Sequence, residues 1–187
     1  MFNLINSDLK FIAQNKGLDP SSISAKFRCA LSPSFICSFL YRVSHQIHSL
    51  KIPLLAKLIW WVNFLLFKVD IDYRAKLYSG IYMPHPIGIV IGDGVLSTAN
   101  MKIMQGSTLG GNLGRTSCIN DKTIKQPHFF ADSFIGINSV VLGPLVFEKS
   151  VCVAANAIVT KQMQAGLLYG TNEQKPLTSQ HQESFFK

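Results

Sequence analysis

Charged residues are scarce in this sequence of 187 residues, where they make up only 15% of the total. Apolar residues make up 48%, which is enough for a hydrophobic core and excludes a chain that is disordered throughout. The four cysteines, at positions 29, 37, 118 and 152, are far apart and form no C-x-x-C pair. A disulfide framework and a cysteine metal site are therefore both poorly supported. A reducing cytoplasm is the expected location.

Targeting and nucleic-acid signals are also missing. Asp8 and Lys10 interrupt the N-terminus early, so no signal peptide is predicted. The most apolar segment, residues 53–68, is shorter than the roughly 20 residues needed to cross a bilayer. No basic run or stacking motif typical of nucleic-acid binding is present, so nucleic acid is not an expected partner.

Positive charge is concentrated in the first part of the chain. Residues 1–76 hold 10 Lys/Arg and 4 Asp/Glu, a net charge of +6, whereas residues 77–187 hold 8 and 6, a net charge of +2. The basic excess coincides with the most apolar stretch. This combination favours an anionic membrane surface or a phosphorylated ligand over DNA as a partner.

Residues 1–68 are predicted to be helical. The expected elements are a helix capped by Ser7 and ending near Gly17, a linker at residues 19–22, a helix from Ser32-Pro33 to about Leu50, and a helix from Pro53 to about residue 68. Two interpretations of the last helix stay open. It is either buried in a trimer or against the rest of the chain, or it lies at the inner face of the cytoplasmic membrane as a peripheral contact.

From about residue 69 an aliphatic residue recurs at every sixth position. A period of six fits neither an α-helix nor a hairpin sheet, and it predicts a parallel β-helix with three faces per 18-residue coil rather than a plain β-sandwich. Between residues 87 and 107 two frames are apolar, so the phase there stays open. The inward frames are Ile71, Leu77 and Met83; then, after a two-residue offset, Ile91, Ser97, Ile103 and Leu109; and finally Ile135, Val141, Phe147, Val153 and Val159.

The predicted fold class is therefore mainly β, a left-handed parallel β-helix of hexapeptide repeats with a small N-terminal α-helical region. The expected division is a helical region over residues 1–68, a β-helix over residues 69–170, and a polar tail over residues 171–187. The rhythm breaks at about residues 110–128, where a polar, glycine-rich segment is expected to protrude as a loop.

Three segments resemble the hexapeptide-repeat acyltransferases. They are Phe67-Lys-Val-Asp-Ile, Gly80-Ile-Tyr-Met-Pro-His-Pro-Ile-Gly-Ile-Val-Ile-Gly-Asp, and Met104-Gln-Gly-Ser-Thr-Leu-Gly-Gly, and the similarity continues through Ala155-Asn-Ala-Ile-Val-Thr-Lys. Within that superfamily the sequence is most similar to the serine acetyltransferase branch and its polysaccharide O-acetyltransferase relatives. The resemblance implies a homotrimer with active sites between subunits, and acetyl-CoA as co-substrate with no metal.

The resemblance also implies roles for individual residues. His85 matches the general base, and Asp70 matches the acid that orients it. An alcohol needs such a base because it is a poor nucleophile at neutral pH. The candidate cofactor-binding residues are Gly110, Gly111, Gly136, Ala154, Ala155 and Lys161. The amides of Gly110 and Gly111 could also stabilise the oxyanion, or these glycines could simply begin the loop. Lys161 either reaches a cofactor phosphate or is a solvated charge at a strand end.

Two departures from the serine enzymes bear on the acceptor. Those enzymes carry an acid before the catalytic histidine and a His-Pro pair after the loop, where this chain has Pro84 and Gln126-Pro127. Because both lost groups would help to bind a zwitterion, the expected acceptor is a sugar hydroxyl in capsule, lipopolysaccharide or exopolysaccharide synthesis. Serine O-acetylation in cysteine biosynthesis and sugar N-acetylation are the alternatives.

Two further classes of protein fit the sequence less well. A β-helical carbonic anhydrase needs three zinc-binding histidines, and the repeats contain only His85 and His128. A non-catalytic scaffold would not need Asp70 and His85.

Overall fold

A computed structural model describes residues 1–119, 122–162, 167–169 and 174–176. Four helices precede the strands: α1 (Phe2–Asn15), α2 (Ile23–Ala30), α3 (Pro33–Ser49) and α4 (Pro53–Phe67). The second and third predicted helices are confirmed as α3 and α4, since Ser32 caps α3 and a proline opens each of them. The cap at Ser7 is wrong, because α1 already begins at Phe2, and α2, capped by Ser22, was not predicted.

The strands form three sheets that are the faces of a prism. Sheet A contains β1 (Asp70–Ile71), β4 (Val90–Ile91), β7 (Thr108–Gly110), β12 (Val140–Leu142) and β15 (Ile158–Val159). Sheet B contains β2 (Lys76–Leu77), β5 (Leu96–Ser97), β10 (His128–Phe129) and β13 (Val146–Phe147). Sheet C contains β3 (Ile81–Tyr82), β6 (Met101–Ile103), β11 (Ser133–Ile135), β14 (Val151–Val153), β16 (Leu167–Tyr169) and β17 (Gln174–Pro176).

Each turn of the chain places one strand on each face, and strands of successive coils pair in parallel. The exception is β17, which pairs antiparallel with β16 at the edge of sheet C. Ile71 lies beside Ile91, which lies beside Leu109, and Val141 continues the column toward Val159. Every residue of the predicted inward frames is buried, as are the small or apolar residues four positions later, such as Ser139 and Ala157. Between residues 87 and 107 the sequence left two possible inward frames. The strand pairing aligns the frame of Ile91 and Ile103 with the inward residues of the neighbouring coils.

One corner of the prism, between sheets C and A, is built from a column of residues with left-handed backbone conformation. The column contains Lys68, Gly88, Gly106, Asn138 and Asn156, with φ between 53° and 71°. Glycine and asparagine suit it because they tolerate positive φ. Amide hydrogen bonds tie neighbouring coils together here; the Gly88 N–H donates to the Lys68 carbonyl at 2.9 Å. The end of α4 is thus the first member of the column.

The break in the repeat lies between β7 and β10. Its residues form a hairpin, β8 (Ser117–Ile119) and β9 (Lys122–Ile124), which pair with each other and with none of the three faces. Most of the polar tail predicted for residues 171–187 lies outside the described residues.

A buried ion pair joins the helices to the first coil. Arg42 of α3 donates from Nε and Nη2 to the two carboxylate oxygens of Asp8 in α1, at 3.1 and 2.9 Å. Asp8 also accepts from the Ile81 amide at 2.8 Å, and Arg42 donates to the carbonyls of Leu77 and Ser79. Both side chains are at most 2% exposed. Desolvation raises the pKa of Asp8, and the hydrogen bonds and charge of Arg42 act in the opposite direction.

We expect Asp8→Asn to lower the free energy of unfolding by about 3–5 kcal/mol, because Arg42 would remain buried without its counter-charge. Asp72→Asn is the matched control, since Asp72 pairs with Arg74 at the surface, where Arg74 is 51% exposed. The control should lose no more than about 1 kcal/mol. Urea denaturation of both variants measures the difference. Equal losses would contradict an anchoring role for the buried pair.

Candidate active site

His85 lies in the corner where the repeat is two residues longer than elsewhere. Pro84 and Pro86 flank it, and the Ile87 N–H donates to the His85 carbonyl at 2.8 Å. Proline fixes its own φ and restricts the residue before it to extended conformations, so this turn has little backbone freedom. The His85 side chain is exposed. The two extra residues therefore hold an imidazole outside the prism on a stiff turn.

Asp70 belongs to the same corner, one coil earlier. It begins β1, two residues after Lys68, and its N–H donates to the Ile89 carbonyl at 2.8 Å. Its neighbour Ile71 points into the core, so the half-buried Asp70 side chain lies on the outer surface of sheet A. The structure thus brings both predicted catalytic residues to one corner, on consecutive coils.

The partner of the Asp70 carboxylate is a tryptophan that sequence reasoning missed. Trp60 of α4 donates from its indole nitrogen to Oδ1 of Asp70 at 3.1 Å. Its ring stacks on Phe64, with 5.6 Å between centroids. In the part of the chain that the structure describes, no hydrogen bond or ion pair joins Asp70 to His85. The bond from Trp60 uses one oxygen of Asp70 and leaves the other available.

The predicted cofactor residues divide between the two edges of sheet A. Gly136, Ala154 and Ala155 lie together at the C–A corner, on adjacent coils; the Gly136 N–H donates to the Val153 carbonyl at 2.8 Å. Gly110 lies at the other edge, where its carbonyl accepts from the Gly143 N–H at 2.9 Å. Gly111 follows it at the start of the break in the repeat.

Lys161 is exposed and comes two residues after β15 ends, also toward the A–B edge. Gly136, Ala154 and Ala155 therefore lie at the same corner as His85. Gly110, Gly111 and Lys161 do not.

Gly136 has a structural reason to lack a side chain. A Cβ at this position would lie 2.5 Å from the Val153 carbonyl oxygen and 2.7 Å from backbone atoms of Ala154 and Ala155. Backbone cannot move aside as a flexible side chain can. The small residue is thus required by the stacking of the coils, independently of any cofactor.

Gln126, one of the two departures from the serine enzymes, is held by neighbouring coils. Its Nε2 donates to Oδ1 of Asp93 at 2.6 Å, and its side chain packs on Gly92 and Gly94. Its Oε1 has no hydrogen-bond partner among the described residues. Nearby, on the outer side of sheet B, is a cavity of about 340 Å³ that contains none of the predicted site residues; it is lined by Lys76, Tyr78, Asp93, Gly94, Leu96 and His128.

The described residues include no cluster of three or more His, Cys, Asp or Glu side chains that could hold a metal ion. His128, the second histidine of the repeats, lines the cavity on sheet B. Burial lowers its pKa, and the positive charge of Lys76 acts in the same direction.

No protein-family model matches the chain. Curated relatives do: it is 26% identical to a serine acetyltransferase of Synechococcus elongatus over 163 residues, which are 87% of this chain and 63% of that protein. It is 24% identical to a serine acetyltransferase of Helicobacter pylori over 160 residues, 86% of this chain and 90% of that protein. The chain spans less than two thirds of the length of several of its curated relatives, among them the Synechococcus protein.

Solved structures show the same fold. The serine acetyltransferase of Neisseria gonorrhoeae in complex with serine has a TM-score of 0.75 and 23% identity, and the match covers 94% of this chain and 68% of that one. A serine acetyltransferase in complex with CoA has a TM-score of 0.71 and 24% identity, covering 89% and 65%. The predicted left-handed β-helix with N-terminal helices is confirmed, as is the resemblance to the serine acetyltransferase branch.

We expect Gly136→Ala to lower the free energy of unfolding by about 1–3 kcal/mol, because the new methyl group would overlap the next coil. Gly110→Ala serves as the control. A Cβ there would meet only Leu142 Cδ2, at an ordinary 3.6 Å, so its effect should stay within about 0.5 kcal/mol. Chemical denaturation without ligand measures both. If the two variants are equally stable, Gly136 is not needed for stacking.

Proposed function

From its similarity to the serine acetyltransferase branch of the hexapeptide-repeat acyltransferases, we propose that this chain is an acetyl-CoA-dependent O-acetyltransferase with serine as its acceptor. The observation that carries the proposal is the extent of the similarity. An alignment of 163 residues leaves 24 of 187 outside it, so it includes both Asp70 and His85 wherever it begins. The relatives are named for serine acetylation, and two solved neighbours hold CoA.

In the proposed reaction His85 is the general base. Its neutral imidazole takes the proton of the acceptor hydroxyl as the oxygen attacks the thioester carbonyl of acetyl-CoA. The tetrahedral intermediate carries a negative oxygen that backbone amides would stabilise. Within one chain Gly110 and Gly111 lie at the other edge of sheet A from His85, so their amides would be donors only to the site of a neighbouring subunit. Its collapse breaks the carbon–sulfur bond, and the imidazolium returns the proton to the CoA thiolate. The products are an O-acetyl ester and free CoA.

Asp70 would stabilise the imidazolium and select the ring tautomer. Its place at the same corner as His85 supports this role. Trp60 would act on Asp70 as a positioning residue, since its indole N–H fixes one carboxylate oxygen. Acetyl-CoA would pass the small residues Gly136, Ala154 and Ala155, and Lys161 would meet a cofactor phosphate.

A homotrimer with sites between subunits is part of the proposal. Exposed apolar side chains on the outer side of sheet A support it, because Val90 is 38% and Ile158 71% exposed in the single chain. The corner next to His85 adds Ile87 and Ile137, which are also exposed. Apolar surface of this kind marks an interaction site.

A sugar hydroxyl in polysaccharide synthesis is the second candidate acceptor. The comparisons favour the serine alternative and give this reading no support. The observation in its favour is local: Pro84 and Gln126 stand where the serine enzymes carry groups suited to a zwitterion. Gln126 is moreover engaged with Asp93.

The acceptor is tested by incubating the full chain with acetyl-CoA and free serine. We expect serine-dependent release of the CoA thiol, with O-acetylserine identified by mass spectrometry. Thiol release with nucleotide sugars or oligosaccharides, and none with serine, would instead support the sugar acceptor. Release with neither class would reject the acetyltransferase assignment for these acceptors.

We expect His85→Gln to lower kcat about 10²- to 10⁴-fold, because the attacking hydroxyl would lose its base. The melting temperature should stay close to that of the unaltered chain, since the side chain is exposed. His48→Gln is the control: His48 lies in α3 against Tyr73, and its replacement should leave turnover nearly unchanged. Near-normal turnover of His85→Gln would exclude His85 as the base.

A further inference from the structure

Helix α4 turns its large apolar side chains outward. Seven of them, between 42% and 72% exposed, form what we call the outer face of α4: Leu54, Leu55, Leu58, Trp61, Val62, Leu65 and Leu66. Residues 54, 58, 61, 62 and 65 recur at helical spacing, so they form one continuous stripe along the helix. A contiguous apolar surface of this kind on a single chain marks an interaction site.

The fully buried residues of the same helix are small or polar, and its larger aromatic residues Trp60, Phe64 and Phe67 are half-buried. Ala56 and Asn63 are the buried residues of α4, and both serve hydrogen bonds to α3. The Ala56 carbonyl accepts from the Ser44 hydroxyl at 2.7 Å, and Asn63 Nδ2 donates to the Cys37 carbonyl at 3.2 Å. A surface helix of a soluble domain normally has the opposite arrangement. The outer face of α4 is thus available to another surface.

Positive charge surrounds this face. Residues 20–69 contain six Lys/Arg and no Asp or Glu. Arg42 is buried in its pair with Asp8, whereas Lys51, Lys57 and Lys68 are exposed. Lys51 precedes the helix, Lys68 follows it, and Lys57 is one turn from Trp61. The apolar stripe therefore has lysines at both ends and no acidic residue along it.

The length of α4 determines how it could meet a bilayer. Its 15 residues extend about 22 Å, less than the roughly 30 Å of a hydrocarbon core. No helix within the described residues is long and apolar enough to span a membrane. A short helix that exposes an apolar stripe beside flanking lysines and tryptophans suits the plane of the interface, where its side chains enter the headgroup region.

We propose that the outer face of α4 binds the surface of an anionic phospholipid bilayer. Its leucines would enter the acyl boundary and its lysines would meet lipid phosphates. A two-fold contact with a second copy suits the face less well, because it would bring the lysines of two α4 helices together and α4 itself contains no carboxylate. Charge complementarity thus favours lipid.

The chain provides its own optical probe. Its two tryptophans, Trp60 and Trp61, are both in α4. With the full chain we expect flotation on phosphatidylcholine vesicles that contain phosphatidylglycerol, and weaker flotation on phosphatidylcholine alone. Tryptophan emission should shift to shorter wavelength and be quenched by brominated lipid. Binding should weaken as salt rises.

Variants separate the apolar and the charged contributions. Leu58→Asp with Leu65→Asp should abolish binding, whereas Leu113→Asp, which alters a fully exposed leucine of the loop, should bind as the unaltered chain does. Each of Lys51→Gln, Lys57→Gln and Lys68→Gln should weaken binding to anionic vesicles about fivefold. The lysine variants alter only exposed side chains, so they test the proposal even if the leucine double variant fails to fold.

Three results would overturn the proposal. The first is no flotation of the unaltered chain on any vesicle. The second is flotation that the leucine and lysine variants leave unchanged. The third is an unaltered chain that does not bind vesicles and forms an oligomer in light scattering, while the leucine double variant is monomeric. That result would assign the outer face of α4 to a contact with a second copy.

Discussion

A β-helix has an open end at its first coil, where edge strands and the apolar interior would both meet water. Helix α3 closes that end. Tyr41 is buried with the inward residues of the prism, and its hydroxyl donates to the Ala75 carbonyl at 2.7 Å. Arg42 binds the carbonyls of Leu77 and Ser79, and His45 contacts that of Tyr73. Because the partners are main-chain carbonyls of one segment, residues 73–79, these contacts fix α3 against the backbone of the first coil.

The closure of this end also determines where the candidate site forms. Helix α4 packs along α3 and ends at Phe67, and Lys68 is both the residue that caps the helix and the first residue of the left-handed column. Asp70 follows two residues later, and His85 begins the turn that returns to Gly88, whose amide binds the Lys68 carbonyl. The two candidate catalytic residues therefore lie at one corner, because Lys68 both caps α4 and begins that corner of the β-helix.

Sequence alone predicted the parts of this arrangement that repeat. Ile135, Val141 and their successors could be assigned to the interior because one physical requirement, filling the prism axis, recurs at every sixth residue. Features that occur only once in the chain were harder to predict. The hydrogen bond from Trp60 to Asp70 depends on how the chain turns at the end of α4, and no repeating pattern in the sequence predicts that turn. The offset at His85 was visible as a broken rhythm, yet the stiff turn between its two prolines became clear only with the hydrogen bonds. Helix α2, eight residues long, has too few turns to display a pattern.

The overall similarity of the chain favours serine as the acceptor, whereas the residues at two individual positions favour a different acceptor. An alignment over some 160 residues of a repeat protein is dominated by positions that fill the prism and form its corners. Those positions constrain the fold, and through the corner they constrain the placement of Asp70 and His85. The acceptor, in contrast, is selected by a few polar side chains beside the reacting hydroxyl, and a site that loses a charged partner for a zwitterion loses much of its selectivity for it. The resemblance to the serine enzymes implies that Pro84 and Gln126 stand at such positions, and Gln126 is bonded to Asp93. The similarity therefore supports the proposed acetyl transfer more strongly than the proposed acceptor, because far more of the aligned positions serve the fold and its corners than contact an acceptor.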